Sequence, residues 1–246
     1  MTTRHSISAT LSGPAAQPSG PTDPAPPASA SQRPAVAALA ALGALVLLFP
    51  ALRPWPDESV ATPALARAMA SDRWIVAHLC GAAAIALWPF AAAQVARLLP
   101  AGRAGRSARA AVLTGGAGAA LVLPYFGAEI FAIHELAGRA VTTWDPTFLD
   151  SIDDIRLQPV AATMFGSGLL LLAASGVLLA VAWWQARDGA VRWAAVPLAA
   201  ALVLFLPQFF AGETERVTHG ALAGIAAWLL AAAVVRSPGT PAGRDA

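Results

Sequence analysis

Lysine is missing from this 246-residue chain, cysteine and tyrosine occur once each, and charged residues make up only 12% of it. Soluble domains carry about 25% charged residues, so too little charge is present to cover a water-facing surface. The basic complement is 16 arginines, for a net charge of +2. GC-rich codons account for an all-arginine complement. These arginines lie in short loops, not on one basic face among stacking aromatics, so no nucleic-acid partner is expected. A lone cysteine, Cys80, excludes an internal disulfide and any CxxC zinc or redox motif. GxSxG, HExxH, P-loop and dinucleotide fingerprints are also missing, and the reading leans away from an enzyme.

What is abundant is apolar: 57% of residues, mainly Ala, Leu and Val. They gather in six segments at about 34–49, 74–99, 108–136, 159–184, 191–211 and 217–235. About 20 helical residues cross a hydrocarbon core of about 30 Å, so the first segment is marginal in length and the others suffice. Pro89, Pro124, Pro197 and Pro207 fall inside these segments, where each is expected to kink a helix that its neighbours stabilise. The predicted fold is all-α: a polytopic integral membrane protein with a six-helix transmembrane bundle over residues 34–236. Residues 1–33 are rich in Pro, Ala and Ser and cannot bury enough apolar surface to order. They predict a disordered cytoplasmic tail, too long for the leader of a cleaved signal peptide. Residues 237–246 predict a short cytoplasmic tail.

Loop charges set an orientation. The second loop carries Arg97, Arg103, Arg106 and Arg109 without an acid, and the fourth carries Arg187 and Arg192 against Asp188. The third carries Asp145, Asp150, Asp153 and Asp154 with only Arg139 and Arg156. By the positive-inside rule both termini are cytoplasmic and the protein sits in the cell membrane. Trp183, Trp184 and Trp193 would then join an inner aromatic belt, and Trp74 an outer one. In the third loop Phe148, Ile152 and Ile155 recur at helical spacing after Asp145–Pro146, which predicts a short amphipathic helix. Residues 58–71 suggest a second. Gly220 and Gly224 form GxxxG, and Gly116, Gly118, Gly166, Gly168 and Gly176 recur on two other segments, so close helix contact is expected.

The sharpest feature is where the imidazoles fall. His78 and His219 each lie about one turn inside the outer end of a segment, and His134 lies near the outer end of a third. Glu129 lies five residues before His134, about 7–8 Å deeper by helix rise. A carboxylate within a span costs about 2.5–3.5 kcal/mol on insertion scales. Glu129 should therefore face the bundle and take a donor from His78, His219, Tyr125 or water. Met164 and Gln208 lie at similar depth. The favoured reading of Glu129, His78, His219 and Tyr125 is a structural polar knot. One alternative is a metal site on His78, Glu129, His134 and His219, or haem held by His78 and His219. In a regular helix Glu129 and His134 do not share a face, so a shared ligand set needs a local π-bulge. The other alternative is a small transporter or proton-coupled protein, against which stands the scarcity of polar groups deeper in the bundle beyond Thr114 and Gln94. The expected partners are the lipid bilayer and, through the small-residue faces, a second copy or other membrane proteins.

Overall fold

The computed structural model describes residues 29–143, 145 and 147–237. Most of the predicted N-terminal and C-terminal tails lie outside the described residues. All regular structure among them is helical. The long elements are α1 (Arg33–Leu52), α3 (Asp72–Ala96), α4 (Arg103–Gly127), α7 (Pro159–Ala186) and α9 (Glu213–Arg236). The short ones are α2 (Pro63–Met69), α5 (His134–Thr143), α6 (Thr147–Arg156) and α8 (Val196–Val203). Five helices are long and apolar enough to cross a membrane. The third of them joins α4, a π-helical segment (Ala128–Ile133) and α5 into one run of 41 residues.

Local chemistry sets the boundaries. Ser71 accepts the Trp74 N–H at the start of α3, and the Gln158 side chain accepts the Ala161 N–H at the start of α7. Each satisfies a donor that the first helical turn leaves free. Thr62 does the same for α2 ahead of Pro63. Asp145 receives the Thr147 N–H and hydroxyl at the start of α6, so the helix predicted there forms. The last residue of the predicted tail before α1 is docked: buried Gln32 donates to the carbonyls of Val234 and Ser237 at 2.7 Å each.

The long helices pack as a ring, α1 against α3, α3 against α4, α4 against α7, with α8 and α9 closing it back to α1. Small residues permit the closest approaches. A Cβ on Gly168 would lie 2.9 Å from the Gly118 carbonyl, and one on Gly224 would lie 2.8 Å from the Gly43 carbonyl. Gly118, Gly168, Gly176, Gly220 and Gly224 thus serve helix contact as expected, whereas Gly116 and Gly166 meet nothing.

Two expectations change, and one grouping is new. The predicted fifth span, 191–211, is not one helix but a 3-10 turn (Gly189–Trp193), the eight-residue α8 and a second 3-10 turn (Pro207–Phe210). Its helix stops because Phe205 N–H bonds back to Leu202 instead of Ala201, and Pro207 has no N–H to offer. Trp74 is fully buried, as is Trp183, so neither belongs to an aromatic belt; Trp184 and Trp193 remain exposed. Finally, α2, α5 and α6 form a small cap with its own core. Leu65, Met69, Trp74, Ile133, Leu149 and Ile152 close on one another at the end of the bundle where α1 ends and α3 begins.

A partly buried ion-pair chain beside an aromatic cavity

Glu129 sits in the π segment with 5% of its surface exposed. Its backbone carbonyl accepts the Trp74 indole N–H at 3.0 Å, locking the widened turn against α3. Its carboxylate is held in bidentate fashion by Arg156, the last residue of α6, with Nε donating to Oε1 at 2.8 Å and Nη2 to Oε2 at 2.9 Å. Two parallel charge-assisted bonds match the planar fork of guanidinium to carboxylate. Arg156 Nη1 also donates to Glu58 Oε2 at 2.7 Å, and the other Glu58 oxygen accepts from Arg53 Nη2. His78 Nε2 lies 3.9 Å from Glu129 Oε2. A single chain of charge, Arg53–Glu58–Arg156–Glu129, thus runs from the end of α1 through the cap to the π segment, with His78 at its inner end.

Burial opposes the charge on Arg156, but Glu129 and then Glu58 outweigh it and hold its proton more tightly than in water. Burial likewise pushes the Glu58 carboxyl up, and Arg53 and Arg156 more than offset that, leaving it below the ordinary range. Arg53 is stacked between indoles, with its guanidinium carbon 4.3 Å from the Trp55 ring centre and 4.6 Å from that of Trp74.

The histidines do not meet as a set. The π turn that would let Glu129 and His134 share a face is present, yet His134 Nδ1 bonds the Met69 carbonyl of α2 at 3.0 Å and lines the cap, away from the ion-pair chain. His78 Nδ1 bonds the Trp74 carbonyl at 2.8 Å, and His219 Nε2 bonds the Ala201 carbonyl at 2.8 Å. The last acceptor is free because α8 stops: Leu204 N–H goes to Ala200 and Phe205 N–H to Leu202, so no amide claims Ala201. A carbonyl cannot donate, so each bonded ring nitrogen carries the proton. Among the described residues no three or more His, Cys, Asp or Glu side chains gather as a metal ion would need.

His78, Glu129, Tyr125 and His219 do border one space, a cavity of about 680 Å³ at the end of the bundle that carries the cap. Gln208 borders it too, whereas Met164 lines a smaller cavity on the far side of Glu129 and Tyr125. One wall is a run of rings. Tyr125 stacks on Phe165 at 4.1 Å between centroids, Phe165 meets Phe209 at 5.0 Å, Phe209 meets Phe205 at 5.5 Å, and Phe205 lies parallel to His219 at 6.0 Å. Arg216, on the first turn of α9, faces the same space and donates to the carbonyls of Ala211 and Phe209.

Deeper polar groups are satisfied locally. Thr114 bonds the carbonyls of its own helix, buried Gln94 faces Arg97, and the Ser175 hydroxyl accepts from the Trp88 indole while donating to the Ala111 carbonyl. Sequence reading placed Glu129 inside the bundle but missed its partner. The sequence marked Glu129 as the one acid deep within an apolar segment, but carried no signal that Arg156, 27 residues on, was its partner. No family model matches the chain, and no curated protein or solved structure is significantly similar to it.

Proposed function

We propose that this chain is a multi-pass protein of the cell membrane that crosses the bilayer six times, with both termini cytoplasmic. The interrupted segment around α8 is the fifth crossing in chain order, joining the five long helices. Support comes from the charge distribution: Arg97, Arg103, Arg106 and Arg109 lie at the end opposite the cavity, while Glu58, Asp150, Asp153 and Asp154 lie at the cavity end. Exposed Leu113, Phe131, Leu170, Phe210 and Leu222 would face lipid.

Within that frame the ion-pair chain is a structural latch beneath the outer headgroups. It clamps the α2–α5–α6 cap to the bundle. The bidentate contact of buried Glu129 with Arg156 carries this reading, because it ties the π segment inside the third span to a helix outside the spans. A proton-coupled role has less support, since polar groups nearer the opposite end are already engaged within or between helices.

A double-mutant cycle tests the latch. Removing one partner of a buried pair costs about 3–5 kcal/mol, so Arg156→Ala should lower thermal stability in detergent strongly. The double variant with Glu129→Gln should be destabilised by clearly less than the sum of the two single changes. Strict additivity would remove the latch. A Glu129→Gln protein with native stability and a lost proton-linked transport signal would favour the transporter reading instead.

A further inference from the structure

Away from its rim, the large cavity has one cation that no carboxylate matches. Arg53 and Arg156 are matched by Glu58 and Glu129, and both carboxylates are spent on that chain. Arg216 has no such match. Among the described residues it forms no ion pair, its Nε and Nη2 donate only to backbone carbonyls, and its Nη1 donates to none. Arg53 keeps an unused donor as well: its side chain is 6% exposed, and its Nη1 is buried with no hydrogen-bond partner. Leaving such a donor without an acceptor is costly. Both guanidiniums lie against one indole, at 4.3 Å and 5.3 Å from the Trp55 ring centre, so two like charges border one partly dry site. Asp57, Asp153 and Glu213 also border the cavity, but they are exposed at its rim. The wall of Tyr125, Phe165, Phe209 and Phe205 starts beside one of these cations, with the Arg216 guanidinium carbon 5.8 Å from the Phe209 ring centre.

We infer that the cavity binds an amphiphilic organic anion, a phosphate or carboxylate on a short apolar body, with its head at the Arg216 and Arg53 side of the cavity and its body along the aromatic wall. An anionic head would take the free Nη1 donor of Arg216 and offset the repulsion with Arg53, and guanidiniums match phosphate and carboxylate geometry. The volume, about 680 Å³, falls within the roughly 300–1,000 Å³ of small-molecule pockets. The inference goes beyond the latch and rests on the cavity alone.

The probe is octyl phosphate, titrated calorimetrically into the full chain in phosphatidylcholine nanodiscs, with octyltrimethylammonium as the cationic counterpart. Saturable binding of the phosphate, with no binding of the ammonium, is expected. Arg216→Gln should weaken it about tenfold or more, and Arg216→Lys, which keeps the charge but not the planar fork, should weaken it less than Arg216→Gln does. Repeating the titration in nanodiscs containing phosphatidylglycerol identifies the source. Competition by the lipid makes the bound anion a headgroup, and unchanged affinity makes it a soluble molecule. Absence of octyl phosphate binding together with absence of retained phosphatidylglycerol would overturn the inference, as would equal affinity in Arg216→Gln. If Arg216→Gln does not fold, the comparison of anion with cation on the native chain decides alone: equal binding of both refutes an anion site. Because no step uses Arg156 or Glu129 variants, failure here leaves the latch standing, and failure of the latch leaves this site standing.

Discussion

His219 on α9 donates its Nε2–H to the carbonyl of Ala201 on α8 at 2.8 Å, an acceptor that exists only because the α8 helix ends two residues later. His78 has the opposite arrangement, with Nδ1 on the Trp74 carbonyl of its own helix. The two imidazoles should therefore hold different tautomers. Nitrogen NMR of labelled protein near neutral pH should show Nε2–H for His219 and Nδ1–H for His78; the same tautomer at both would contradict the bonding described. His219→Ala should destabilise by about 1 kcal/mol, the scale of one interhelical bond in a membrane protein.

Close contact between α4 and α7 depends on two glycines. A Cβ on Gly168 would lie 2.6 Å from the Val122 methyl and 2.9 Å from the Gly118 carbonyl, whereas one on Gly116 meets nothing within 4 Å. Gly168→Ala should cost about 1–3 kcal/mol by overpacking. Gly116→Ala should be neutral or stabilising by up to about 1 kcal/mol through helix propensity. Thermal unfolding of both proteins in one detergent checks the contrast, and equal effects would place the α4–α7 contact elsewhere.

Acid should release the cap through Glu58. Burial alone would raise its carboxyl, but Arg53 and Arg156 hold it below its ordinary value of 4.5. A depressed acid contributes fully above the unfolded value and loses its contribution as pH falls through the folded one. Stability should thus hold down to about pH 4.5 and then decline. Arg156, held protonated more firmly than usual, adds no slope in this window. Melting curves across the acid range should show the decline, and Glu58→Gln should shrink it. An unchanged acid limb in that variant would show that Glu58 is not the group responsible.

Orientation is open to direct labelling, because Cys80 is the lone cysteine. In a Cys80→Ala background, a cysteine replacing Asp150 should react with an impermeant maleimide on intact cells. A cysteine replacing Arg106 should react only after the membrane is opened. Equal labelling of both on intact cells would refute the proposed topology.

Sequence composition and periodicity alone determined the helical class, the apolar segments and the amphipathic helix now seen as α6, because these depend on local preference and on burial face by face. The need of Glu129 for a buried partner was equally legible, since a carboxylate in an apolar segment cannot stay unpaired. Which partner it took was not. Arg156 reaches Glu129 only through the path of α6 over the π segment, and a 27-residue separation carries no periodic signal. The break of α8, which frees Ala201 for His219, and the departure of His134 to Met69 are likewise tertiary outcomes. Each turns on which backbone acceptor a neighbouring helix leaves unused, and that is decided only when the helices have packed.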